Sequence, residues 1–100
     1  MALIDYGNGI QAVDAVSRMG NTIDLVILDL IMPVMDGGKA FDRIRQLHPR
    51  MPIILSSGYA INEQATAIMD RGCNGFIQKP FNLSKLSRKT RQVLDQAAGK

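Results

Sequence analysis

The sequence predicts an α/β fold, a parallel sheet of about four strands with helices on both faces. Three observations carry that prediction. Short apolar runs of strand length alternate with stretches of about ten residues whose apolar positions recur at helical spacing. The run Leu25-Val26-Ile27-Leu28 is apolar without a break, as a strand buried on both faces requires. Asp29, Ser57 and Lys79 each follow such a run, and parallel strands bring their carboxyl ends to one edge.

Taken in order, Ala2 to Asp5 is a short strand candidate and Tyr6-Gly7-Asn8-Gly9 a turn. Ile10 to Met19 carries Ile10, Val13, Val16 and Met19 on one helical face, and Gly20-Asn21 closes it. Leu25 to Leu28 is the central strand. Gly37-Gly38 opens a helix with Ala40, Phe41, Ile44 and Leu47 inward, ended by His48-Pro49, where His48 reads as a cap or a solvent contact. Pro52 to Leu55 is the third strand, stopped by Ser56-Ser57-Gly58. Asn62 caps a helix running to Arg71, with Gly72 at its end. Gly75 to Gln78 is the fourth strand and ends at Lys79-Pro80. Asn82-Leu83-Ser84 starts the last helix, with Leu83, Leu86, Thr90, Val93 and Leu94 inward. Alternation of this kind implies right-handed crossovers.

One hundred residues, 46% hydrophobic, suit one domain over 1–100 with an aliphatic core, since only five residues are aromatic and none is Trp. Net charge is +3 and the pI is about 9.4. The late basic residues Lys85, Arg88, Lys89 and Arg91 have no aromatic interleaved among them, so no nucleic-acid partner is expected. Cys73 is the single cysteine and reads as a small packed residue. No apolar run reaches the roughly 18 residues of a membrane span and no signal peptide is visible, so no membrane partner and a cytoplasmic location are expected. A nucleotide-cofactor enzyme is disfavoured because no glycine-rich phosphate loop follows the first strand.

The chemistry gathers at three strand ends. Asp29 is the candidate nucleophile or hard-cation ligand, Lys79 its counter-ion, and Ser57 a hydrogen-bond donor to an added oxyanion. Met32 and Met35 flank the turn after Asp29 and read as packing residues.

Those residues resemble the receiver domain of two-component response regulators. Asp29 with Met32-Pro33 and Met35-Asp36-Gly37 matches the phosphoacceptor segment, Ser57-Gly58 the switch hydroxyl, and Lys79-Pro80-Phe81 the lysine motif, whose Lys-Pro bond is usually cis. Phe76 matches the aromatic switch position. The Ile-Leu-Ser-Ser-Gly-Tyr and Leu-Ser-Lys-Leu wording is similar to receivers of hybrid sensor kinases. The resemblance implies a flavodoxin-like fold and a non-enzymatic phosphorelay module. A histidine kinase or phosphotransfer protein would phosphorylate Asp29. Mg²⁺ would be held by Asp29 and the Ile31 backbone carbonyl, and Ser57 and Phe76 would switch.

The chain departs from that family at its start, because no strand before Asp29 ends in the acidic pair that holds Mg²⁺. The family's first strand and first helix have no counterpart, which makes 1–100 a truncated receiver, an incomplete (βα)5. The segment Ala2 to Asp5 aligns with the family's second strand. Either it keeps that position beside an empty slot, or it pairs directly with Leu25 to Leu28 and brings Asp5 toward the active edge as a substitute ligand. Loss of the covering helix would uncover Leu83, Leu86 and Val93 and favour a homo-oligomer through the sheet edge or that helix face. The alternative function is a phosphorylation-independent interaction or oligomerisation module, because one acid and one carbonyl are a thin magnesium set.

Overall fold

The computed structural model describes residues 3–6, 9–30, 37–58 and 62–98. Four parallel strands alternate with four helices: β1 Leu3–Tyr6, α1 Gly9–Met19, β2 Leu25–Asp29, α2 Gly37–Leu47, β3 Ile53–Ser57, α3 Glu63–Asp70, β4 Gly75–Gln78 and α4 Leu83–Ala98, with a short 3-10 turn Gly20–Thr22 after α1. The sheet order is β1-β2-β3-β4. The first strand therefore pairs directly with the central one, Leu3 opposite Leu25 and Tyr6 opposite Leu28. Of the two placements open from sequence, the simple sequential order is the one adopted.

Several boundaries differ from the sequence reading by a residue or two, and two of the differences bear on the sheet. Tyr6 belongs to β1 rather than to a turn, because its backbone continues the ladder to Leu28. Strand β3 runs on through Ser56 and Ser57, which pair with Asp29 and Gln78. A Ser-Ser pair reads locally as a turn, but neighbouring strands on both sides override that preference.

Alternation splits the sheet into two cores. Val26, Leu28, Ile53 and Leu55 face a larger cluster built with Ala12 and Val16 of α1, Ala40, Phe41 and Ile44 of α2, and Ala65 and Ile68 of α3. Leu25, Ile27, Ile54 and Ile77 face a smaller cluster with Val93 of α4, against which Phe81, Leu86 and Leu94 pack. Three helices cover one face and one covers the other.

Val93 is 1% exposed, so it does not lose its cover as expected from sequence. It sits directly on the β2–β4 side chains. The loss falls on the outer side of α4, where Leu83 is 81% exposed and Leu86 half-buried. There Leu86, Thr90 and Leu94 line an open groove of about 520 Å³, and the buried Thr90 hydroxyl has no hydrogen-bond partner among the described residues.

Local signals hold the helix ends. Asn62 Oδ1 accepts from the Ala65 N–H at 2.9 Å, and Asn82 Oδ1 accepts from the Lys85 N–H at 2.7 Å. Gly72, at φ 106°, turns the chain from α3 toward β4, a conformation that side chains rarely adopt.

Candidate functional site at the carboxyl edge

Strand ladders set the site. Register pairs Asp29 with Ser56, so their side chains share one face of the sheet. Two further hydrogen bonds extend the ladder beyond the strands. The Leu30 N–H donates to the Ser56 carbonyl and the Lys79 N–H to the Ser57 carbonyl, both at 2.7 Å. The second of these fixes the Lys79 backbone beside β3, and the Lys79–Pro80 peptide that follows is cis.

The Lys79 ammonium forms an ion pair with Oδ1 of Asp29. Side-chain exposures of 42% for Lys79 and 19% for Asp29 put the pair at a half-open edge, where the carboxylate is shielded but reachable. The Ser56 hydroxyl donates to the same Oδ1 at 2.7 Å and lies 3.3 Å from the Leu28 carbonyl. Ammonium and hydroxyl thus converge on one oxygen of one carboxylate. Such charge-assisted contacts are the stronger class of hydrogen bond.

The hydroxyl that touches Asp29 is therefore that of Ser56, which the sequence reading passed over as part of a turn. Ser57 is buried next to it, at the strand end where its carbonyl accepts from the Lys79 N–H. Phe76 stands opposite Leu55, half-buried against the larger core. Residues 31–36, and with them the Ile31 carbonyl, lie outside the described residues. The backbone of Asp5 stands opposite Ile27, one strand over and two residues short of Asp29; its side chain lies outside the described residues.

A magnesium site needs several oxygen ligands. Among the described residues Asp29 has its Oδ1 already engaged, and no group of three His, Cys, Asp or Glu could hold a metal. The described residues do not by themselves fit a divalent cation.

A second polar node lies at the amino end of the sheet. The Arg45 guanidinium donates to the Met51 carbonyl, to the Gly72 carbonyl and to Asn74 Oδ1, the last two at 2.9 Å. Asn74 Oδ1 also accepts from the Ile53 N–H, and the guanidinium lies 5.1 Å from the centre of the Phe41 ring. Burial lowers the Arg45 pKa from its ordinary value. Burial likewise pushes the Cys73 thiol up, and its Sγ lies 3.3 Å from the Ile53 carbonyl. No single-sequence signal announces this node, because its partners are backbone carbonyls distant along the chain.

Comparison with known proteins gives a consistent result. Residues 3–91 match the family model described as the response regulator receiver domain. The chain is 32% identical over 92 residues to the sensor kinase CckA of Brucella abortus, covering 92% of this chain and 10% of that protein. It is 34% identical over 88 residues to the transcription factor SKN7 of Chaetomium thermophilum, covering 88% of this chain and 12% of that one. The chain thus spans about a tenth of these curated relatives. Among solved structures, a receiver domain protein from Clostridium thermocellum superposes with a TM-score of 0.87 at 19% identity, covering 98% of both chains. A CheX–CheY–BeF3–Mg complex from Borrelia burgdorferi matches with a TM-score of 0.84 at 22% identity, over 92% of this chain and 87% of that one. Among the described residues, no helix is long and apolar enough to cross a membrane.

Proposed function

The chain belongs to the response regulator receiver domain family, and from that premise we propose that it is a phosphoacceptor module of a two-component phosphorelay, taking a phosphoryl group on Asp29 from a histidine kinase or phosphotransfer protein. The observation that carries the reading is the ion pair of Asp29 and Lys79 at the carboxyl edge. A carboxylate held at a half-open strand end is a usable nucleophile. The ammonium beside it offsets the charge of nearly two units that a phosphoryl group brings.

Ser57 and Phe76 form the switch in this reading. Ser57 pairs with Gln78 and accepts the Lys79 N–H, and Phe76 stands opposite Leu55, next to the Ser56–Ile77 pair, so added charge at Asp29 biases their packing. The module receives the group and does not turn over substrate. Magnesium, where it assists, would draw on Asp29, the Ile31 carbonyl and Asp5.

The scarcity of metal ligands among the described residues favours a second reading, a phosphorylation-independent interaction module. In either case the exposed Leu83 and the α4 groove support self-association through that helix face.

The test is incorporation of phosphate from acetyl phosphate, with magnesium and with a chelator. The phosphoacceptor reading expects uptake by the parent and loss to background in Asp29→Asn. No uptake by a folded parent favours the second reading.

A further inference from the structure

We infer that Ser56 is a positioning residue for phosphoryl uptake: its hydroxyl pins Oδ1 of Asp29 and leaves Oδ2 as the attacking atom. The inference rests on the phosphoacceptor reading of Asp29. Ser56 is fully buried and stands opposite Asp29 in the β2–β3 ladder. Its hydroxyl has one proton to give and two acceptors in range, Oδ1 at 2.7 Å and the Leu28 carbonyl at 3.3 Å. The shorter, charge-assisted contact takes the proton.

The carboxylate torsion of an aspartate is broad and roughly two-fold, so an ion pair alone lets the two oxygens exchange. Lys79 is long, flexible and 42% exposed, and it cannot fix the carboxylate plane unaided. Ser56 is short and anchored in the middle strand of the site. With both groups on Oδ1, Oδ2 is the oxygen turned away from them.

With acetyl phosphate as donor, a lone pair of Oδ2 forms the new O–P bond. The P–O bond to the acetyl group breaks, and its electron pair leaves with acetate. Oδ1 becomes the carbonyl oxygen of the acyl phosphate and keeps its two donors. A donor on a ground-state carboxylate also lowers its nucleophilicity, so the direction of the Ser56 effect decides between orientation and simple charge damping.

The experiment measures initial uptake against acetyl phosphate concentration for the parent, Ser56→Ala, Ser56→Cys and Ser56→Thr. Orientation predicts a maximal rate about tenfold lower in Ser56→Ala and Ser56→Cys, with the half-saturating donor concentration unchanged. Ser56→Thr, which keeps the hydroxyl, recovers most of the rate. Cysteine retains nearly the volume of serine with a weak donor, so its rate decides the question if the alanine variant has lost its circular dichroism spectrum. Uptake equal to or faster than the parent in both donor-poor variants overturns the inference and leaves the phosphoacceptor reading standing. A parent without uptake removes both.

Discussion

The two ends of the sheet each carry one charged node, and they are built in opposite ways. At the amino end Arg45 distributes its donors over the Met51 and Gly72 carbonyls and Asn74, tying α2 to the starts of β3 and β4. At the carboxyl end two donors crowd onto a single oxygen of Asp29, in an ion pair whose lysine is 42% exposed. The first node satisfies backbone groups and holds the fold. The second concentrates positive and polar groups on one acid and does little for the fold, since part-exposed ion pairs contribute about 0–1 kcal/mol.

Substitutions should separate the two ends. The largest effect is expected at Lys79. Lys79→Met should slow phosphate uptake roughly ten- to hundred-fold, the equivalent of one charge-assisted hydrogen bond, while denaturant unfolding shifts by less than about 1 kcal/mol. Arg45→Ala should do the reverse, costing about 2 kcal/mol and lowering the melting temperature by roughly 10 °C with uptake per folded molecule unchanged. Arg45→Lys should recover little, because an ammonium cannot reproduce the planar fork. Equal damage to uptake and stability from either variant would break the contrast.

Smaller effects sharpen it. Gly72→Ala should cost about 1 kcal/mol through its φ of 106° alone, since among the described residues beyond its chain neighbours no heavy atom lies within 4 Å of the added methyl. The smallest effect concerns Cys73. Burial raises its thiol pKa above the ordinary 9.0, so the folded state holds the proton more tightly than the unfolded one. The stability this contributes is fully present below about pH 9 and is lost as pH rises above that value. Unfolding measured from pH 8 upward should therefore fall less steeply for Cys73→Ala than for the parent.

Much of the carboxyl edge was legible because polar residues there interrupt apolar runs. Asp29 ends β2 and Lys79 directly follows β4, and parallel strands leave one place for such ends to meet. Ser56 was hidden by its context: a Ser-Ser-Gly string carries turn chemistry, and only the strand register reveals that the first serine stands opposite the acid. The position of β1 stayed open in the sequence because a four-residue run does not show whether it stands beside an empty slot or against Leu25 to Leu28; it stands against the central strand, whose edge would otherwise be unpaired. Arg45 and Asn74 were illegible for another reason. Their contacts join residues 6 to 29 positions apart, largely through backbone atoms, which leave no residue-type pattern.

The most direct test is mass-spectrometric mapping of the phosphorylated residue after exposure of the folded chain to acetyl phosphate, with the acyl phosphate trapped by reduction. The account predicts a single modified position, Asp29. A label found on another side chain, or none on a chain that binds its partner normally, would contradict it.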